Sequence, residues 1–277
     1  MRWVICALVV LALPPGALAG DLDVLRGSQT VGPGNFMNWT GFYVGGQYGY
    51  SDASADFSNS TQAPIAYSLR ELALESEFAP SAWPVLGSAD RGTSGYGGFV
   101  GYNSQWQDLI LGIEANYNHI SSTLVAPDSP ILRITPATSG GDTYQVNIDG
   151  AGSVTNLDYA TLRGRAGWVF GNFLPYGFAG VALGYADIAV SATVQGQQNP
   201  APICSSSNYP PCYPFAFTDT VGKNPELMYG FTVGGGLDVA LTQNIFLRGE
   251  YEYVQFAPVS GILVSIASAH VGAALKF

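Results

Sequence analysis

Eight of the charged residues between positions 114 and 276 are the side chains whose types and spacing could do chemistry together. The acidic members are Glu114, Asp238, Glu250 and Glu252, and the basic members are Arg163, Arg165, Arg248 and Lys276. They lie in stretches where apolar and polar residues alternate, so we expect them on the polar face. A buried charge must be paired or hydrated, because an unpaired one is costly. The sequence therefore predicts a charge network in which these residues face one another.

Histidines and cysteines offer little further chemistry that can be located from sequence. His119 and His270 are the two histidines, and both fall in alternating stretches where a rim or interior position accounts for them. No local motif marks a Ser/His/Asp arrangement, and no H-x-x-H or C-x-x-C spacing indicates a metal site. We therefore expect no enzyme activity, no bound metal and no cofactor.

The elements that must position the charges repeat with a period of two along the chain, which is typical of strands. Eight such segments are 40–54, 93–106, 108–123, 154–170, 173–194, 226–242, 245–257 and 262–277. Each is as long as the roughly 9–11 residues with which a tilted strand crosses a bilayer. Connections of one or two residues alternate with connections of about 30–38 residues. Short turns at one rim and long loops at the other are typical of outer-membrane barrels.

Composition and aromatic placement both favour a lipid environment. Only 11% of the residues are charged, less than half of the usual share of about 25%. The row Leu227, Tyr229 and Phe231 would face lipid, and the Gly- and Thr-rich face opposite would line the lumen. Aromatic residues recur near strand ends, where interfacial girdles lie. These are Trp39, Phe42, Tyr43, Trp106, Trp168, Phe170, Phe173, Tyr176, Phe246 and Phe277.

The N-terminus has the features of an export signal. Arg2 precedes the apolar residues 3–13, and Ala17–Ala19 has the A-x-A form of a cleavage site. This apolar stretch is too short for a membrane helix, which needs about 20 residues. We predict a cleaved signal peptide at 1–19 and a periplasmic leader at 20–38.

Two of the predicted loops carry features of their own. Cys204 and Cys212 are an even pair in an oxidising compartment, so we predict a disulfide there, with two free thiols as the alternative. In the loop 55–92, the stretch Ser68–Phe78 would be either a short helix or irregular.

The opening strand, Asn38-Trp39-Thr40-Gly41-Phe42-Tyr43-Val44-Gly45-Gly46, resembles that of the 25/31-kilodalton outer-membrane protein family, the porin-like barrels of alphaproteobacteria. The C-terminal residues, Leu275-Lys276-Phe277, are similar to the terminal strand of such barrels, where a final Phe is the signal for the assembly machinery. The resemblance implies an all-β, eight-stranded, OmpA-type barrel over residues 39–277 with both termini in the periplasm. It also implies contact with outer-membrane lipid and lipopolysaccharide. With Phe277 ending the last strand, we expect no peptidoglycan-binding domain after it.

Inside such a barrel, the charge network has two interpretations. The pairs could gate a very small water path, whose acidic loops would favour cations. They could instead be a plug that fills the lumen, which the narrow interior of eight strands favours. We therefore expect a structural and surface role in the cell envelope, with a small-solute porin as the alternative. The formal charge of −10 argues against a nucleic-acid partner. The sequence carries no signal for oligomeric state.

Overall fold

The computed structural model describes residues 37–199 and 213–277, which form nine strands and two short helices. The strands are β1 (Gly41–Asp56), β2 (Ser88–Trp106), β3 (Leu109–Val125), β4 (Ile131–Ile134), β5 (Tyr144–Trp168), β6 (Phe173–Gln198), β7 (Tyr213–Ala240), β8 (Ile245–Phe256) and β9 (Leu263–Lys276). The helices α1 (Gln62–Leu69) and α2 (Ala73–Phe78) lie in the β1–β2 connection, followed by a 3-10 turn at Pro80–Ala82. The predicted signal peptide, the leader up to residue 36 and the Cys204–Cys212 disulfide lie outside these residues.

Eight of the strands close into an antiparallel barrel. Each neighbour in the order β1-β2-β3-β5-β6-β7-β8-β9 is hydrogen-bonded, and β9 pairs back onto β1. The short strand β4 lies outside this ring and pairs only with the start of β5. The predicted fold class is therefore confirmed. Within the described residues, neither helix is long and apolar enough to span a membrane.

The barrel has a short-turn end and a long-loop end. The connections 107–108, 169–172 and 241–244 are tight, and Gln107 and Gly171 adopt the positive φ angles, 56° and 61°, that such turns use. The connections at the opposite end include 57–87 and 126–143, although the last of them, 257–262, is short. Both described chain ends, at Met37 and Phe277, therefore belong to the short-turn end.

The predicted strands are too short at the long-loop end. β5 begins at Tyr144 rather than 154, and β7 begins at Tyr213 rather than 226. Gly150 and Gly152 make this part of β5 look like a loop in the sequence, but its alternate side chains Val146 and Ile148 are buried. Of the two alternatives left open for Ser68–Phe78, the structure has the short helix, α2. α1 begins before that stretch, with Pro64 in its first turn, where proline is tolerated.

A lipid-facing band encircles the part of the barrel nearest the short turns, which we call the lower part. Leu227, Tyr229 and Phe231 are 50%, 66% and 49% exposed, as predicted for a lipid-facing row. On β6 the band runs from Phe173 to Tyr185, and twelve residues at about 3.3 Å each, tilted by about 45°, give a height near 28 Å. That height matches the apolar band of outer-membrane barrels, about 25 Å.

The two borders of the band differ in composition. The border nearer the long loops is a tyrosine belt made of Tyr50, Tyr96, Tyr117, Tyr185, Tyr229 and Tyr253. The border at the short-turn end consists of Phe42, Trp106, Trp168, Phe170, Phe173 and Phe277. These six belong to the predicted girdle. The other four, Trp39, Tyr43, Tyr176 and Phe246, do not, because they lie on inward-facing positions and are buried in the lumen.

Above the tyrosine belt the polarity of the wall reverses. In β5 the inward residues are odd-numbered at Tyr159 and Arg163 but even-numbered at Val154 and Ile148. The change coincides with a register shift between Thr155 and Asp158, because one extra residue turns every later side chain to the other face. Beyond the shift, β5 and β6 present apolar residues to the interior and mostly polar residues to the outside, as strands of a water-soluble barrel do.

Replacing Val181 by Arg tests where this band lies. Val181 is 58% exposed near the middle of the band on β6, and an arginine at the bilayer midplane destabilises a barrel by about 2–4 kcal/mol. Gln195→Arg, on the outward face of the same strand above the reversal, should leave stability unchanged. Denaturant unfolding of both variants in lipid vesicles measures the difference, and equal effects would contradict this placement of the membrane.

Candidate functional site

Seven of the eight predicted charges meet in one cluster in the lumen, which we call the ionic layer. It consists of Glu114, Asp238, Glu250, Glu252, Arg163, Arg165 and Arg248. Their side chains are at most 1% exposed, although they come from four different strands. The lumen therefore brings together residues that are up to 138 positions apart in the chain only because the sheet closes.

Glu114 lies at the centre of the ionic layer. Its carboxylate accepts hydrogen bonds from Arg163 Nη2 at 2.5 Å and from Arg165 Nη1 at 3.1 Å. Arg248 Nη1 lies 2.9 Å from the same carboxylate. The hydroxyl of Tyr43 donates a further bond at 2.5 Å. One carboxylate thus holds three guanidinium groups together, and these groups also contact the other three carboxylates of the layer.

Asp238 is the second carboxylate that Arg165 and Arg248 contact. Its carboxylate accepts from Arg165 Nη2 at 2.6 Å and from Arg248 Nε at 2.9 Å. Asp238 and Arg248 are directly opposite each other in the β7–β8 ladder. Glu114 and Arg163 are likewise opposite each other between β3 and β5. Two of the pairs are therefore cross-strand neighbours, while the others cross the lumen.

Glu250 and Glu252 form the side of the layer nearest to the long loops. Arg163 donates to Glu250 Oε2 at 2.7 Å and more weakly to Glu252 Oε1, at 3.4 Å. Hydroxyl groups complete the two sites, since Tyr176 donates to Glu250 at 2.6 Å and Thr232 donates to Glu252 at 2.8 Å. These contacts give each buried carboxylate both an arginine and a hydroxyl partner, although Oε1 of Glu250 has no hydrogen-bond partner among the described residues.

Aromatic rings cover the flat faces of the guanidinium groups, a feature that the sequence reasoning missed. The carbon Cζ of Arg163 lies 3.9 Å from the ring centre of Phe178, and Arg248 lies 4.0 Å from that of Phe99. Arg165 lies 3.8 Å from the ring of Tyr176. The edges of each guanidinium bind carboxylates while its face packs on a ring. The inward parity of these rings in their strands was the signal available in the sequence.

Lys276 does not join the ionic layer, so this part of the predicted network is wrong. Its ammonium group donates to the backbone oxygen of Thr40, 3.1 Å away, at the short-turn end. In the β8–β9 ladder, Arg248 is level with Gly272, and four further residues carry Lys276 about 13 Å along the strand. Its parity is inward, but the layer is out of reach.

His270 lies beside the ionic layer on β9. A ring nitrogen and one oxygen each of Glu250 and Glu252 lie within 4.8 Å of one another, a set that could ligate a metal ion. Arg163, however, already contacts both carboxylates. A metal ion would have to compete with a buried guanidinium for the same oxygens. The arrangement therefore suits the arginine better than a metal ion.

Two apolar clusters enclose the ionic layer along the barrel axis. At the short-turn end, Trp39 and Phe246 pack edge to face with ring centres 5.6 Å apart, and both are fully or almost fully buried. Toward the long loops, the lumen is filled by an apolar core. Its largest members include Ile120, Leu124, Val154, Tyr159, Ile188, Val190, Phe256, Val264 and Ile266. This core was not predicted from the sequence, because the polar face was expected to line the whole lumen.

A closed antiparallel barrel with an apolar belt outside and a charged layer inside is a transmembrane barrel of the outer-membrane class. Residues 34–277 match the family described as outer membrane protein beta-barrel domain. The chain belongs to this family, and the predicted resemblance and the outer-membrane location are confirmed.

The chain shares limited sequence identity with three proteins of this kind. It is 26% identical over 170 residues to a 22 kDa outer membrane protein of Rhizobium leguminosarum bv. viciae, a match that covers 61% of this chain and 56% of that protein. The chain therefore matches just over half of that relative's length. Neisserial surface protein A has 15% identity and a TM-score of 0.38 over 86% of this chain and 98% of its own. Ail of Yersinia pestis, solved with a heparin analogue, has 13% identity and a TM-score of 0.34 over 86% and 99%.

Glu114→Gln should destabilise the barrel far more than Glu252→Gln. The first change points an amide NH2 group at guanidinium donors and leaves three arginines without their common anion, a loss of about 3–5 kcal/mol. The second affects one arginine contact at 3.4 Å and keeps an acceptor for Thr232, so we expect about 1 kcal/mol or less. Denaturant midpoints in lipid vesicles give both values. Similar losses would show that Glu114 is not the centre of the layer.

Proposed function

We propose that this protein is a structural and surface barrel of the outer membrane that conducts little or no solute. The observation that carries the proposal is the filling of the lumen at three successive levels. Aromatic side chains fill the short-turn end, the ionic layer fills the middle, and the apolar core fills the part toward the long loops. A hydrated ion would have to pass all three.

The apolar core is the level that argues most strongly against conduction. The ionic layer alone could rearrange its pairs and admit water, as the alternative of a small-solute porin requires. The core has no such freedom, because Val154, Phe256 and Ile266 are at most 1% exposed, and opening a passage there would expose packed apolar surface to water. The sealed core therefore favours the plug over the gate.

One feature supports the porin alternative. Gln47, Asn116 and Asn118 are buried beside the ionic layer, and Gln47 donates to Asn118 at 2.7 Å. Such a polar wall suits bound water. It ends at the apolar core, so a water path along it needs a second conformation of the barrel.

The part of the barrel beyond the tyrosine belt supports a role at the cell surface. β6 and β7 are 26 and 28 residues long, more than twice the roughly 9–11 needed to cross the membrane. Helix α1 packs on this upper sheet through Ile65 and Leu69. The projecting sheet thus has a hydrophobic core of its own, which suits a fixed structure outside the cell. No reaction in the lumen is needed for this role.

Planar-bilayer recording tests the closed lumen. The folded protein should give no reproducible conductance steps, and Arg248→Ala should give none either, because the apolar core stays in place above the altered layer. Heat-dependent migration of the reconstituted samples on detergent gels controls for folding and insertion. Steps in the wild-type protein that Arg248→Ala or Glu250→Ala resizes would establish the porin alternative instead.

Cysteine labelling of intact cells tests the surface role. In a background with Cys204→Ser and Cys212→Ser, a membrane-impermeant maleimide should react with Glu71→Cys, whose native side chain is 84% exposed beyond α1. Gln107→Cys is exposed as well but lies in a short turn, so it should react only after the cells are lysed. Labelling of Gln107→Cys in intact cells would reverse the proposed orientation.

A further inference from the structure

An acid, an imidazole and a hydroxyl are hydrogen-bonded in sequence on the outer face of the barrel, away from the ionic layer. Asp158 Oδ1 lies 2.5 Å from His119 Nδ1, and His119 Nε2 lies 3.2 Å from Ser121 Oγ. The two ring nitrogens thus contact different partners. This is the order in which an aspartate orients a histidine and the histidine takes a proton from a nucleophilic serine.

Three neighbouring strands fix this arrangement. His119 on β3 is directly opposite Asp158 on β5, and on its other side it is opposite Tyr96 of β2, with ring centres 5.1 Å apart. The imidazole therefore has a ring on one side and a carboxylate on the other. Ser121 follows His119 by two positions, so the strand period puts both side chains on the outward face.

The backbone is irregular at the serine. The register of β3 against β5 shifts between Ile120 and Thr123, and Ser121 and Ser122 have no partner residue in the β2 and β5 ladders that the structure describes. Bulges of this kind re-aim side chains and occur beside active sites. Backbone N–H groups outside a ladder are also the donors that an oxyanion needs.

The location of the three residues selects the substrate. Tyr96 and Tyr117 of the tyrosine belt are 64% and 51% exposed. His119 is directly opposite Tyr96 and therefore lies at the level of the belt, and Ser121 lies two residues farther toward the long loops. Tyrosine belts mark the level of the lipid headgroups. The ester bonds of outer-leaflet lipids lie next to that level. Ser121 is exposed and the side chains of His119 and Asp158 are 30% and 36% exposed, so a lipid can reach them from the membrane.

We propose that Ser121, His119 and Asp158 form a hydrolytic site for the acyl esters of outer-leaflet lipids. Ser121 and His119 are the catalytic residues, and Asp158 positions the imidazole. The shared chemistry is a fatty acyl ester, which both glycerophospholipids and lipopolysaccharide supply. This inference departs from the expectation that the protein has no enzyme activity, and it is independent of the closed lumen.

The reaction needs only the lipid and water. Ser121 Oγ attacks the ester carbonyl carbon while its proton passes to His119 Nε2. The tetrahedral intermediate then breaks its bond to the lipid alkoxide, which leaves with the proton from Nε2 as the lyso-lipid. Water next attacks the acyl-serine and gives its proton to Nε2. The fatty acid leaves and Ser121 Oγ regains that proton, so the sum is one ester and one water converted to one acid and one alcohol.

The test measures fatty-acid release by the folded full-length protein in mixed micelles, with diacyl phosphatidylethanolamine in one arm and lipopolysaccharide in the other. We expect release in at least one arm, which identifies the lipid. Ser121→Ala and His119→Asn should each lower the rate at least about 100-fold. A fluorophosphonate probe should label the peptide that contains Ser121 in the wild-type protein, a readout that is independent of turnover.

Two further variants separate catalysis from structure. Ser122→Ala, next to the nucleophile but with its hydroxyl buried on the other face, should keep full activity and labelling. Asp158→Asn should lower kcat with little change in KM, and Asp158→Glu should restore part of the rate. Heat-dependent gel migration confirms that each variant is folded. Folded wild-type protein that hydrolyses neither lipid, or activity that persists in Ser121→Ala, would overturn the proposal.

Discussion

Closure of the sheet is the constraint on which the rest of this structure depends. In a bilayer no water can satisfy free backbone groups, so a membrane sheet must pair its first strand with its last. β1 and β9 meet this requirement over fourteen residue pairs, from Tyr43–Lys276 to Asp56–Leu263. Eight strands leave an interior just wide enough for side chains. The narrow lumen that results must be filled, and what fills it decides what the barrel can do.

The chain fills the lumen with charge where the wall is embedded in lipid, and with apolar residues where the wall is in water. In the lipid-facing part the apolar side chains are needed outside, so the inner face carries the polar ones. Above the tyrosine belt the outer face contacts water, and apolar residues such as Val154 and Ile188 occupy the interior. β5 changes its inward parity at a register shift, whereas β6 and β9 keep theirs and change only the polarity of the inward residues. The same constraint thus explains both the ionic layer and the apolar core.

Alternation in the sequence predicted the membrane-embedded part of the barrel, but the prediction failed where the inward residues change from polar to apolar. It placed the lipid-facing row with Phe231 correctly and gathered the charges from Glu114 to Glu252, because each strand keeps one parity through the membrane. The upper core was missed, because the polar face was assigned to the whole lumen and the start of β5 was predicted to be loop. Tyr176 was assigned to the girdle on proximity to a strand end, although its parity is inward.

The two histidines show how position on the barrel wall changes the chemistry of one residue type. His270 faces inward, enclosed between β1 and β8 beside carboxylates that already bind arginine. His119 faces outward at the lipid boundary, where a register shift frees the neighbouring serine from the ladder and Asp158 is within hydrogen-bonding distance. The filled lumen excludes substrate from the first histidine, while the outer wall is open to lipid at the second. A barrel whose lumen is filled with side chains is therefore still free to carry a reactive site on the surface that lipids touch.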